Sequence, residues 1–233
     1  IGQAVGQLPQ VKRAATSGRM AIVGGTTTRY VVKALTDEDP GRDAFAVGWI
    51  KEGLLSESPA EGRGPGAYLF DQGEVGRGWP GELLQAFEGG DIYIKGANAV
   101  DPEGNAGILM AAPTGGTIGV ALATLFARGA ELIIPVSLQK LIPSIPAIGG
   151  LLGQGNVDRV MGSPVGYMPI MNSFATVITE IEAMHILFDV EAVAIAAGGQ
   201  DDCSGSVTLH LHGTEEAIEQ AWQAIQSLTN GGQ

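Results

Sequence analysis

The sequence has a single cysteine, Cys203, so no disulfide can form within the chain. A lone thiol fits a reducing compartment, and the cytoplasm is the expected location. Basic residues are scarce as well. Thirteen lysines and arginines stand against 25 acidic residues, a formal net charge of −12. A nucleic-acid groove needs clustered positive charge. Here the few cations are spread along the chain, which argues against DNA, RNA or an anionic membrane surface as a partner. No apolar run reaches the length that spans a bilayer. Aromatic residues are only 6% of the chain, so a core must be built from aliphatic side chains.

What is present is ample for such a core. The chain has 233 residues and 45% of them are hydrophobic, a composition that excludes disorder. Its 36 glycines point to many tight turns. Met20 to Val23 is a short apolar run that ends at Gly24-Gly25, and Tyr30, Val31, Ala34 and Leu35 follow at helical spacing. That pattern reads as strand, glycine turn, helix. Further strands are expected at 44–50, 91–95, 108–112 and 131–136, with helices at 81–87 and 116–128 and a surface loop at 53–66. Strands alternating with helices imply a parallel sheet covered on both faces.

After Leu138 the character changes. Residues 139–172 are dense in proline and glycine and keep no period, which reads as a linker and long loop. Beyond it a strand at 175–179, a helix at 182–188, strands at 192–197 and 206–212 and a helix at 215–228 give the order β-α-β-β-α. That is a ferredoxin-like pattern without its last strand. The expected fold is therefore α/β. It comprises a three-layer α/β/α domain with a mostly parallel sheet over 1–142, a linker over 143–173, and a small ferredoxin-like α+β unit over 174–233.

Three segments carry chemistry. Gly24-Gly25-Thr26-Thr27-Thr28 joins a strand to a helix, and helix N-termini present unpaired N–H groups that hold anions. The same turn also serves as a tight βα connection with threonine capping. Thr114-Gly115-Gly116-Thr117, after Pro113, opens the helix at 116 and forms a second such cradle, or a glycine seam for close helix packing. Lys95, Asn98 and Asp101 gather at the end of the strand 91–95, the edge where open α/β sheets bind ligands. Asp101-Pro102-Glu103-Gly104 is ordinary turn chemistry too.

Together these segments resemble a known superfamily. The Gly-Thr-Thr-Thr loop resembles the one opening the sugar-binding domain of DeoR-type regulators, and is similar to the Gly-Ser-Thr loop of ribose-5-phosphate isomerase A. Ile94-Lys95-Gly96-Ala97-Asn98-Ala99-Val100-Asp101-Pro102 resembles that isomerase's Ile-Asp-Gly-Ala-Asp-Glu-Val-Asp-Pro. A glycine run, a helix, and Leu132 to Leu141 follow in the same order, where the isomerase has an apolar strand ending Asp-Glu-Ser-Lys-Leu. The likeness spans roughly residues 15–142 and extends to the coenzyme A transferases. It implies a sugar phosphate or related acid at the strand ends. The isomerase's two active-site aspartates fall on Lys95 and Asn98, its lysine near Ala112 and its general-base glutamate near Ala121. Alanine cannot move a proton, so isomerase activity does not carry over. No segment supplies a transferase's nucleophilic glutamate, and the regulators' DNA-reading helix-turn-helix is missing.

Other residues read as structural. His210 and His212 share one face of a strand, with Cys203 or Asp201 as the further ligands a metal would need. Such histidines are ordinary on a strand, and neither metal nor cofactor is expected. Asp201-Asp202 disfavour a Cys203 thiolate. His185 is expected in the core, and Met161 to Met171 with Tyr167 as core filling in preference to a lid. The leading functional expectation is a binder of a small anionic metabolite at Gly24–Thr28, Lys95, Asn98, Asp101 and Thr114–Thr117. Two alternatives stand beside it. One is an enzyme of altered chemistry on a phosphosugar or acyl-CoA, with Lys95 as electrophile or base. The other is an assembly protein forming a homo-oligomer through its C-terminal unit.

Overall fold

The computed structural model describes residues 1–230, with only the backbone described for Asp202, Thr229 and Asn230. Two helices open the chain, α1 (Gly2–Gln7) and α2 (Pro9–Ser17). Pro9 sits in the first turn of α2, where its missing N–H costs nothing and its fixed φ suits a helix start. β1 (Arg19–Ile22) leads to α3 (Thr28–Thr36) and the single turn α4 (Arg42–Phe45). Two hairpins follow, β2 (Gly48–Lys51) with β3 (Leu54–Glu57), and β4 (Ala67–Asp71) with β5 (Glu74–Gly78). Then come α5 (Gly81–Gln85), β6 (Ile92–Ile94), β7 (Ala99–Val100), β8 (Ala106–Met110), α6 (Gly116–Arg128) and β9 (Glu131–Pro135). The remainder holds β10 (Gly166–Ile170), β11 (Thr176–Ile178), α7 (Glu180–Phe188), β12 (Glu191–Ala197), β13 (Val207–His212) and α8 (Glu215–Asn230).

Six strands form the main sheet in the order β11-β9-β6-β1-β4-β5. The first four run parallel, whereas β4 and β5 are antiparallel to their neighbours. The fold is thus mixed α/β with a mostly parallel sheet. Strands covered on both sides read as unbroken apolar runs. Met20-Ala21-Ile22, Ile92-Tyr93-Ile94 and Leu132-Ile133-Ile134 are all buried. Alternation along each strand then sends neighbours to opposite faces. Ala21, Tyr93, Leu132 and Ile134 pack with Leu84 of α5 and Ile118, Ala121 and Leu125 of α6. Met20, Ile22, Ile92, Ile94 and Ile133 pack with Ala4 and Val5 of α1, Val31 and Val32 of α3 and Ala183 of α7.

Several elements depart from the sequence expectations. The strand expected over 44–50 is split, because α4 runs to Phe45 and β2 begins at Gly48. The expected loop at 53–66 contains β3. Each hairpin turns on two residues of positive φ, Glu52 (54°) with Gly53 (76°) and Gln72 (51°) with Gly73 (89°). Such turns match the twist of the strands they join. The expected linker at 143–173 contains β10, which pairs antiparallel with β8 and, through it, with β7 in a second sheet.

The strand expected to open a separate unit at 174 is instead hydrogen-bonded parallel to β9, as an edge of the main sheet. The reason lies in its two apolar side chains: Val177 packs on one core cluster and Ile178 belongs to the other. Only the segment beyond α7 leaves the main sheet. β12 and β13 form an antiparallel pair, and α8 lies on them through a small cluster of Met184, Val190 and Ala221. Positions 231–233 of the expected C-terminal unit lie outside the described residues. Among the described residues no helix is long and apolar enough to cross a membrane.

Candidate binding edge at the ends of the parallel strands

The loop 24–28 leaves the carboxyl end of β1, next to the end of β6. Val23 N–H donates to Ile94 O (2.9 Å) and Lys95 N–H to Ile133 O (3.1 Å), which sets Lys95 in line with the start of this loop. Contact is close beyond that point, since a Cβ added to Gly96 would lie 3.9 Å from Thr28 Cγ2. Thr28 is buried, and its hydroxyl donates to Val23 O at 2.7 Å. That bond folds the loop back on its own strand. The carbonyls of Gly25 and Thr27 are taken by the N–H groups of Arg29 and Tyr30. By contrast, the five successive N–H groups of Gly24, Gly25, Thr26, Thr27 and Thr28 find no acceptor among the described residues. Thr27 caps α3 without a side-chain bond.

The two glycines differ in purpose. A Cβ on Gly24 would lie 2.1 Å from the carbonyl oxygen of Phe45, so Gly24 admits α4 against the sheet. Gly25 faces only the Thr28 hydroxyl.

Lys95 is half-buried, and its ammonium has no hydrogen-bond or ion-pair partner among the described residues. Burial alone pushes its pKa down to about 8. A second lysine joins it. Lys140, in the turn after β9, donates from Nζ to Ala97 O at 2.8 Å, and burial lowers its pKa as well. Sequence spacing assigns Lys140 no site role, although it matches the resembled Ser-Lys-Leu tail.

The other expected site residues are placed otherwise. Asn98 is exposed, but its Oδ1 accepts from Leu109 N (3.0 Å) and its N–H donates to Gly107 O (2.7 Å), pinning the loop to β8. Asp101 is buried in a loop knot. It accepts from Asn105 N (2.9 Å), Asn105 Nδ2 (3.0 Å) and Ile145 N (2.9 Å). Burial by itself would raise its pKa, yet these donors hold it below the usual carboxylate range.

Thr114–Thr117 follows β8, a strand of the second sheet, and opens α6 on the opposite face of the main sheet from α3. The expectation that both glycine–threonine loops leave strands of one parallel sheet holds for the first loop alone. Gly115 (φ 80°) and Gly116 (φ 58°) make the turn into α6, and a Cβ on Gly119 would strike Thr114 O at 2.2 Å. Glycine here serves close packing as well as the turn. Tyr93 of β6 fastens the start of this helix by donating its hydroxyl to Thr117 O at 2.6 Å. Burial raises the Tyr93 pKa, so the donor stays protonated at any ordinary pH. Tyr93→Phe is expected to lower stability by about 1 kcal/mol, read as a shifted urea midpoint with an unchanged slope. No change in midpoint would show that the bond adds nothing.

His185 is not a core residue. Its side chain is 69% exposed, with Nδ1 3.6 Å from Asp189 Oδ1, because the register of α7 turns Ala183 and Met184 inward instead. Met161 is exposed, whereas Met168 packs on the core from β10. Among the described residues no group of three or more His, Cys, Asp or Glu could hold a metal ion. Two grooves lie away from this edge. One is lined by Leu8, Pro9, Phe188 and Gln220, another by Arg13, Ser17, Gln72 and Glu88. Unpaired backbone amides at the start of a helix suit an anionic head group. No family model matches the chain, and no curated protein matches it in sequence.

Proposed function

We propose that the chain binds a small anionic metabolite, a sugar phosphate or related acid, at the carboxyl ends of β1 and β6. The observation that carries this reading is the run of five N–H groups from Gly24 to Thr28 that find no acceptor among the described residues, at the strand end next to that of β6, where Lys95 follows with its ammonium unpaired. Unpaired amides at the start of a helix are partial positive charges fixed in space, and a phosphate or carboxylate satisfies several at once. Apolar clusters on both faces of the sheet support a three-layer α/β/α arrangement, in which this edge is the usual ligand position. Ala121 is packed in the core of α6, so that position offers no base, and ribose-5-phosphate isomerisation is not part of the proposal.

Replacing Lys95 by alanine removes the cation and leaves the amides. A charged hydrogen bond is worth about 1.5–3 kcal/mol, so affinity for phosphate or ribose 5-phosphate is expected to fall roughly 10- to 150-fold. Calorimetry on both proteins reads this directly, and unchanged affinity or no binding by the parent protein would sink the proposal. Parent protein is also expected to show no ketose formation in a coupled assay.

A second reading, self-association through the C-terminal unit, is favoured by one observation. Val193 and Ile195 of β12 are 58% and 64% exposed, and β12 carries one charged residue, Glu191. Exposed apolar edge strands recruit other chains. Light scattering on a sizing column would separate a dimer from a monomer.

A further inference from the structure

α6 is apolar all the way round. From Gly116 to Ala127 it holds no charged residue, and Arg128 at its end is its one ion. A helix of that kind belongs in an interior. Here one side is covered, where Ile118, Ala121 and Leu125 pack on the main sheet. At 3.6 residues per turn the opposite side carries Val120, Ala123, Phe126 and Ala127, and the last three are exposed. Large side chains extend this strip in both directions. A Cβ added to Gly81 would lie 2.9 Å from Trp79 Nε1 and 3.9 Å from Val120 Cγ2, so Trp79, 59% exposed, adjoins the first half of the helix. Phe126 meets Phe174 edge-on at 5.4 Å, and both are 54% exposed. We propose that this face of α6 binds the same face of a second copy of the chain, with the two helices antiparallel about a two-fold axis at Ala123. The surface is separate from the anion-binding edge and from the exposed residues of β12.

Charge and shape both select a second copy as the partner. The chain carries a net charge of −12, so two copies repel wherever acid meets acid. From Asn105 to Ala130 the sequence has no acidic residue. Ala123 and Ala127 are small enough to let two helices approach closely. Val120 lies three residues before Ala123 and Phe126 three after it. An antiparallel crossing at Ala123 therefore sets each Phe126 against the other copy's Val120 and the Trp79 beside it, and the two-fold axis repeats every such contact. Aromatic anchors of this kind are what the centres of protein interfaces are built from. The same crossing makes an ion pair. Arg128, five residues past Ala123, comes over the other copy's α6 five residues before that point. There Glu82 of α5 follows Gly81, the neighbour of Val120. Arg128 and Glu82 are both exposed, and neither has an ion-pair partner among the described residues. The axis forms this pair twice, at opposite ends of the strip.

Sedimentation velocity on the whole chain, from about 1 to about 200 μM, is the test. A strip one helix long stands at the small end of specific interfaces, so a dimer with a dissociation constant of roughly 10–100 μM is expected. Ala123→Glu should weaken it at least about 100-fold and Trp79→Ala roughly tenfold. Both side chains are exposed, so the circular dichroism spectra of these variants should match the parent's. Glu82→Arg or Arg128→Glu alone should weaken the dimer roughly 5- to 30-fold, and the two together should restore it. A protein still monomeric at about 200 μM would overturn the proposal. A dimer that tolerates Ala123→Glu but is lost on joint Val193→Asp and Ile195→Asp would overturn it too, and would assign association to the C-terminal unit. Single charge reversals without effect, or a double reversal that restores nothing, would overturn the antiparallel crossing.

Discussion

Alanine in place of Asp101 is expected to destabilise the protein by about 4 kcal/mol, a fall of roughly 8–16 °C in melting temperature. The carboxylate is only 2% exposed and takes three N–H donors, from the backbone of Asn105 and Ile145 and from the Asn105 amide. Removing it strands all three in a place that water does not reach, at about 1–3 kcal/mol for each group left unpaired, part of which relaxation recovers. The damage would spread, because Asn105 Oδ1 in turn accepts from Asn172 N and Asn172 Nδ2 donates to Glu103 O. One carboxylate thus ties the turn after β7 to two distant points of the proline-rich stretch. The effect has a pH signature. The folded-state pKa of Asp101 is depressed, so its contribution is full above the unfolded carboxylate value near 4 and is lost as pH falls through the folded value. Chemical denaturation of the parent protein and of Asp101→Asn should therefore differ most at neutral pH, and the gap should narrow below about pH 4. A gap independent of pH would show that the charge is not what stabilises the knot.

Gly24→Ala is expected to cost about 3 kcal/mol, or roughly 6–12 °C. The new methyl would lie 2.1 Å from the carbonyl oxygen of Phe45, and that neighbour is backbone at the end of α4, which no rotamer change can clear. Phe45 in turn meets Tyr68 edge-on at 5.6 Å, and Arg77 stacks over the Tyr68 ring at 3.8 Å, so displacement of α4 disturbs β4 and β5 too. Gly25→Ala is the companion variant. Its methyl meets only the Thr28 hydroxyl, at 3.0 Å, and about 1 kcal/mol is expected. Thermal melts of the two proteins separate the glycine that admits a helix from the glycine that leaves a loop open. Equal melting temperatures would contradict this division.

The parallel core was legible in the sequence because strands buried on both faces leave long apolar runs. Met20–Val23, Asp91–Lys95 and Glu131–Val136 were placed within a residue or two, and the helix at 116–128 matches α6. The loop at Gly24 was legible for the same reason, as a glycine pair between a run and a helical period. The hairpins were not. Their turns use Glu-Gly and Gln-Gly in place of the familiar Asn-Gly, and β5 carries a single large apolar residue, Val75, which is exposed. Asp101 reads as turn chemistry, but its partner Ile145 is remote in sequence, and no local pattern announces a donor that arrives from elsewhere. Strand β11 looks like the start of a new unit because periodicity reports which residues are apolar and not which sheet they join. His185 shows the same limit, since an apolar helix does not say which side is covered.

The order of strands in the main sheet governs how a growing chain can fold. Met20 pairs on one side with Phe70 and on the other with Ile92, and the helix that opens the chain packs through Val5 into the same cluster as Ile178 and Ala183. Both strands that flank β1, and α6 over one of its faces, are synthesised later, whereas α2 and α3 pack beside it early. Such long-range pairings are slow to form, because loops must close before any contact rewards them. The sheet around β1 is therefore complete only after β4, β6 and β9 have been made, whereas β12, β13 and α8 need only one another and the adjacent α7. Refolding from denaturant should accordingly show an early local phase at the C-terminal end, a slow main phase, and losses to aggregation that grow with protein concentration.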